Sequence, residues 1–121
     1  MQSHIGQEVP KIRVVVRKRP LTSKEIQRKD EDNLTVTGPQ SLILKEIKQR
    51  VDLTKYCEQH KYVFDNVFQA TDNNQLIFKL SVQPLIDCLF QGCNTTCFAY
   101  GQTGSGKTFT MMGTPDGSVP G

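Results

Sequence analysis

The chain has no apolar run longer than a few residues, which excludes a spanning helix of the usual ~20 residues. Residues 1–10 carry no apolar signal-peptide stretch, so nothing in the sequence directs the chain to secretion. Charge of one sign is scarce too. Fifteen Lys and Arg against twelve Asp and Glu leave +3, too mild by itself to argue for nucleic acid or a membrane surface. A second pair of metal ligands is also missing: Cys93-x-x-x-Cys97 has a zinc-like spacing, but His4 and His60 stand alone. Without an export signal, Cys57, Cys88, Cys93 and Cys97 are expected to be reduced thiols and not a disulfide framework. Cys97, inside an apolar run, is expected as a small core residue. No internal repeat is visible.

With 121 residues, the chain fits one small domain. An apolar share of 36% with 22% charged residues argues against wholesale disorder. Residues 1–10 are polar and expected to fray, leaving 11–121 as the folded part. The run KIRVVVR at 11–17, bounded by Pro10 and Pro20, predicts a strand, and its three consecutive valines predict cover on both faces. Residues 23–32 are charged and predict a loop or short helix. Two short alternating runs, 34–37 and 41–44, flank Gly38-Pro39-Gln40 and predict a hairpin. Residues 45–59 mix charges with Val51 and Leu53, and 62–68 contain a further short strand. The cluster Thr71-Asp-Asn-Asn74 offers N-caps for a helix to about Phe90, with Phe78, Val82, Leu85, Ile86 and Leu89 as a buried stripe. Pro84 lacks an amide donor and predicts a kink or boundary in that helix. An apolar strand at 96–100 is expected to lead into Gly101, and a helix at 107–112 to follow. Residues 113–121, with three glycines and two prolines, read as a loop.

Residues 101–108, GQTGSGKT, match G-x-x-x-x-G-K-[ST] in full. The fixed positions have separate physical tasks. Gly101, Gly104 and Gly106 let the backbone take positive φ and come close to an anion. The amides of Gln102, Thr103 and Ser105 with those of the glycines can then form a nest ahead of a helix N-terminus. Lys107 adds a full positive charge within reach of β- and γ-phosphates, and Thr108 offers a hydroxyl to Mg²⁺. A chain this short matches the pattern by chance roughly once in a few hundred. The alternative is a flexible Gly/Thr/Ser turn that happens to contain a lysine.

The surroundings of the loop narrow the class. FAYGQTGSGKT at 98–108, followed by Thr110 and Met111, resembles the kinesin form of the motif. RVVVRKRP at 13–20 resembles the kinesin opening strand ending in R-x-R-P, and FDNVF at 64–68 resembles the F-D-x-V-F element. Together they cover residues 11–113 in the family's order. The resemblance implies an α/β P-loop NTPase fold: the N-terminal part of a kinesin motor domain, with a mostly parallel central sheet and a small antiparallel hairpin lobe. It also implies ATP and Mg²⁺ as ligands, microtubules and tubulin as partners, and a cytoplasmic, cytoskeletal location, with no nucleic acid and no membrane insertion.

Residue by residue, the resemblance puts Arg17, Arg19 and Pro20 at the adenine pocket, with the ring held against Pro20 and Phe109 on its other side. Read by themselves, Arg17 and Arg19 are equally a solvated strand end and Phe109 equally a packing residue. RVDLTKY at 50–56 resembles the K-V-D-L-T-K-Y segment of kinesin-13, the microtubule-depolymerising subfamily. That implies a tubulin contact by Arg50, Val51 and Asp52, with Arg in place of the pattern's Lys. Lys45, Lys48 and Lys55 would aid it by steering toward an acidic surface. The competing reading is a mixed-charge hairpin extension, since Glu46, Asp52 and Glu58 offset the bases.

The family's switch motifs N-x-x-S-S-R and D-L-A-G-S-E do not occur in the 121 residues. Phosphoryl transfer depends on such positioning groups. The expectation is therefore a chain that binds ATP without organising an attacking water, a partial motor domain that is marginally folded alone. A non-catalytic nucleotide- or partner-binding piece is the second reading. An unrelated P-loop kinase is the third, and it leaves R-x-R-P and F-A-Y-G unexplained.

Overall fold

Residues 11–121 are described by the computed structural model; the fraying expected at 1–10 lies outside the described residues. Two units emerge from the contacts, Val14–Thr71 and Asp72–Gly121, the second also taking in residues 11–13.

In the first unit the valine run yields only a three-residue strand, β1 (Val15–Arg17). It pairs in parallel with β5 (Asn66–Phe68), matching Val15 to Asn66, Val16 to Val67 and Arg17 to Phe68. Asp65 closes the entry to this ladder: its carboxylate accepts the Val14 amide at 2.7 Å, and its own amide donates to the Val14 carbonyl. The expected cover on both faces is not found: Val15 and Val16 are only half-buried and Val14 is 50% exposed. A short helix, α1 (Ser23–Gln27), follows with a complete capping box: Thr22 Oγ1 accepts from the Glu25 amide, and Glu25 accepts from the Thr22 amide.

The expected hairpin is present as β2 (Leu34–Gly38) and β3 (Ser41–Gln49), with a register irregularity between Val36 and Gly38. A third strand, β4 (Lys55–Val63), realises with β3 the mixed-charge hairpin extension that was the competing reading of this region. It pairs antiparallel with β3 along its whole length, from Ser41 with Val63 to Gln49 with Lys55. Most of its residues are exposed, so it lacks the apolar alternation that marks a half-buried strand. The Val67 amide donates to the Pro39 carbonyl and the Phe64 amide to Gln40, fastening the parallel pair to the hairpin. Leu42, Val67 and Phe68 are buried here and form the unit's apolar core.

The second unit begins with a composite helix: α2 (Asn74–Ile77), a π-helical segment Phe78–Val82, and α3 (Gln83–Phe90). Asn73 is the N-cap, its side-chain oxygen accepting the Leu76 amide at 2.9 Å. The boundary expected at Pro84 is realised as the π segment. Pro84 cannot donate within the helix, and the Gln83 amide immediately before it reaches back to Phe78. The expected buried stripe is only half-covered: Val82, Leu85 and Ile86 are half-buried, whereas Phe78 is 40% and Leu89 51% exposed. No strand forms at 96–100, because this run has no ladder partner among the described residues; Phe98, Tyr100 and Cys97 are exposed. The expectation of Cys97 as a core residue fails for the same reason. Helix α4 (Lys107–Met112) forms where expected, and the loop after it is closed by a bridge between Gly113 and Pro120.

Candidate nucleotide site

The phosphate-loop residues fold as a tight turn running into α4. The Ser105 amide donates to the Gln102 carbonyl at 3.1 Å. Gly104 and Gly106 have φ of 82° and 100°, values an L side chain resists. Left-handed glycines of this kind turn neighbouring N–H groups toward one side, the backbone pattern of an anion nest. Gly106 is also the N-cap of α4, so Lys107 and Thr108 form the helix's first turn.

Lys107 is half-buried, and its Nζ donates to the Gly101 carbonyl at 2.6 Å. That bond ties the last part of the motif to its first residue and uses one of three ammonium donors. Among the described residues Lys107 makes no ion pair, so its charge is uncompensated within the loop. Thr108 is exposed and its hydroxyl is accessible to a hydrated cation. A triphosphate with Mg²⁺ fits this donor set: left-handed glycines, one unneutralised ammonium and one exposed hydroxyl.

A residue not singled out for the site supports it from behind. Asn74 is 6% exposed, and its Nδ2 donates to the Phe109 carbonyl at 3.0 Å and the Pro120 carbonyl at 2.9 Å. One buried amide thereby satisfies a carbonyl of α4 and one of the closing loop. In the sequence Asn74 was only one of several cap candidates. Its backbone role fell to Asn73, which freed the Asn74 side chain for this brace.

Arg17, Arg19 and Pro20 belong to the first unit and Phe109 to the second. Arg17 ends β1; Pro20 is exposed. Arg19 donates to Glu25 through both terminal guanidinium nitrogens, Nη1 at 3.1 Å and Nη2 at 2.7 Å, so it also anchors the α1 capping box. The Arg19 guanidinium, with hydrogen bonds from Thr22, lowers the Glu25 carboxyl to about 2. Phe109 is 40% exposed.

Arg50, Val51 and Asp52 occupy the turn between β3 and β4. The Asp52 carboxylate accepts the Thr54 amide at 3.0 Å and the Thr54 hydroxyl at 2.5 Å, which holds its pKa below the ordinary value. The Arg50 guanidinium lies 5.1 Å from the Tyr56 ring centroid, and Val51 is fully exposed at the tip. Lys48 departs from its expected steering role. It pairs with Glu58 and, at 3.6 Å, with Glu46, so its charge is spent inside the hairpin. Glu46, Glu58 and His60 have ligand atoms within 4.8 Å of one another, but the Lys48 ammonium already supplies the cation there.

Two cavities lie in the first unit, about 300 Å³ beside Lys18 and Asp32 and about 520 Å³ beside Val14 and Phe64. Neither includes a residue of the phosphate loop. Cavity size is a poor guide here, because a phosphate nest binds through exposed amides along a loop and not in an apolar hollow. No helix of the described residues is long and apolar enough to cross a membrane.

The parallel strand pair, the antiparallel hairpin sheet and the glycine loop opening α4 define an α/β protein of the phosphate-loop NTPase class. The kinesin motor domain profile matches residues 17–121, and the chain belongs to that family. Kinesin-like protein KIN-13A of Oryza sativa subsp. japonica is 51% identical over 107 residues, covering 88% of this chain and 13% of that protein. Kinesin-like protein KIF24 of Homo sapiens is 50% identical, with 88% and 8% covered. Kinesin-like protein KIN-13B of Arabidopsis thaliana is 48% identical, with 88% and 16% covered. These relatives accord with the kinesin-13 resemblance. Among solved structures, a fast kinesin superposes with a TM-score of 0.76 at 37% identity, covering 91% of this chain and 29% of that one. KIF14 with ADP in complex with a microtubule gives a TM-score of 0.73 at 30% identity, with 91% and 30% covered. The chain spans less than a fifth of these curated relatives and less than a third of the solved motor chains.

Proposed function

We propose that residues 101–108 bind the triphosphate tail of ATP with Mg²⁺, as the nucleotide-holding part of a kinesin-13-like microtubule motor. The observation carrying this reading is the uncompensated Lys107 ammonium, fastened to Gly101 across a loop whose Gly104 and Gly106 are left-handed. In it, Lys107 contacts the β- and γ-phosphates, the loop amides hold the remaining oxygens and Thr108 contributes to the Mg²⁺ shell. Arg17, Arg19, Pro20 and Phe109 are proposed as base-end contacts on the strength of R-x-R-P and of the position after Thr108. The tip residues Arg50, Val51 and Asp52 are proposed to touch tubulin, presenting an exposed valine between opposite charges. Movement along, or depolymerisation of, cytoplasmic microtubules would be the activity of the whole motor. Residues 1–121 contain neither switch motif, so nucleotide binding without turnover is the reading for this stretch.

Calorimetric titration with Mg·ATP tests it. Lys107→Ala should weaken binding about 10- to 100-fold, the loss expected for a charge-assisted contact. Equal affinity of the parent and the variant would remove the proposal. Microtubule co-sedimentation of an Arg50→Ala/Val51→Ala/Asp52→Ala variant checks the tip separately, with reduced pelleting expected.

A further inference from the structure

The C-terminal turn of α3 puts two thiols on the two positions whose side chains that turn brings together. Gln91 is the C-cap, and Gly92 follows with φ of 93°. The Gly92 amide donates to the Leu89 carbonyl at 3.0 Å, and the Cys93 amide to the Cys88 carbonyl at 3.1 Å. These paired bonds define a Schellman ending, in which the residue after the left-handed glycine packs its side chain on the one five positions before it. An apolar contact usually occupies that place; here it is filled by Cys88 and Cys93. A backbone bond of 3.1 Å between the two residues keeps their α-carbons within the ~4.4–6.8 Å that a disulfide spans. In keeping with that placement, the Cys88 thiol is pushed up by its interaction with Cys93 and then by burial. Cys93 is exposed, Cys88 half-buried, and both are reduced.

We propose that Cys88 and Cys93 form a reversible disulfide when the protein meets hydrogen peroxide, making the end of α3 a redox-responsive element. The exposed Cys93 thiolate attacks the peroxide: an S–O bond forms, the O–O bond breaks and hydroxide leaves, taking a proton to become water. The Cys88 sulfur then attacks the sulfenic sulfur, forming the S–S bond, breaking S–O and releasing a second water with the Cys88 proton. Two thiols lose two electrons and the peroxide gains them. Such bonds in a reducing compartment are transient and regulatory, in keeping with a turn that is complete without one. The bridge would pin the last turn of α3, just ahead of the run leading into Gly101.

The test treats the full reduced chain with hydrogen peroxide, blocks remaining thiols with N-ethylmaleimide and cleaves with chymotrypsin after Phe90, between the two cysteines. The expected result is two pieces held together across that cut by a reducible bond. The bond should survive Cys97→Ser and vanish in Cys88→Ser, while Cys57 alkylates throughout. Gly92→Ala, which meets no neighbouring atom but must hold a positive φ, should slow closure about five- to thirtyfold by disfavouring the turn. Full alkylation of Cys88 and Cys93 after peroxide would overturn the proposal. So would pairing of Cys93 with Cys97, or a closure rate that neither Gly92→Ala nor unfolding in urea alters.

Discussion

In Val14–Thr71 the backbone is fixed by ladders: β3 is paired on both sides, β1 on one, and Leu42, Val67 and Phe68 are buried beneath them. In Asp72–Gly121 no ladder longer than an isolated bridge occurs among the described residues, and Ile77 is the buried apolar side chain. Order there comes from short-range devices: the Asn73 cap, the π segment before Pro84, the Schellman turn at Gly92 and the Asn74 brace. The proposed nucleotide loop lies in the second kind of region. A phosphate nest needs backbone geometry and one charge, and both are local properties of 101–108. Ligand binding is then the natural source of further stability, since a ligand that favours the folded loop shifts its equilibrium by mass action.

Variants in the two units can break or sharpen this contrast. The largest effect is expected for Leu42→Ala, which empties a buried position and should cost about 3 kcal/mol of strand-unit stability. Hydrogen exchange should report lost protection in β2, β3 and β4 while exchange at 101–112 stays as before; equal loss in both units would erase the distinction. Asn74→Ala should cost about 1 kcal/mol, because the bonds by which one buried amide joins the Phe109 and Pro120 carbonyls are lost. Its signature is faster exchange at 107–121 with the hairpin unaffected. A hairpin that loosened instead would show the brace to be misassigned.

Acid should act most gently, and on both units. Glu25 and Asp116 each have a folded pKa lowered to about 2, from 4.5 and 3.8. Arg19 is the main cause at Glu25; hydrogen bonds from Thr114 and then Ser118 act at Asp116. Carboxylates with depressed folded pKa values stabilise above their unfolded pKa, and the contribution is lost as pH falls toward the folded one. The capping box of α1 and the turn at 114–118 should therefore persist at pH 5 and loosen between about 4 and 2. Carboxyl carbon shifts followed by NMR across that window are the check, and midpoints near 4 for both groups would contradict the geometry.

What could be read from the sequence follows the same division. The glycine loop and α4 were legible because each fixed residue answers a local backbone demand. Pro84 was legible as a disturbance, though not as a π segment, since the form a helix takes around a proline depends on its neighbours. β4 was legible only as a mixed-charge hairpin extension without bounds, because its residues stay exposed and no periodicity marks them. The strand expected at 96–100 and the covered stripe on α3 were over-read for a related reason. Apolar composition states that a segment favours cover, whereas a strand exists only where a partner accepts its hydrogen bonds. Arg19 had two readings, and its grip on Glu25 shows that one side chain can anchor a cap while remaining a base-end candidate.

The most direct measurement follows the backbone amides of the chain by NMR as Mg·ATP is added. Shifts concentrated at residues 102–108, saturating together and lost in Lys107→Ala, are what the phosphate-nest account predicts, with the β3–β4 tip unmoved. Saturable binding that leaves those amides in place, or that persists undiminished without the lysine, would contradict it.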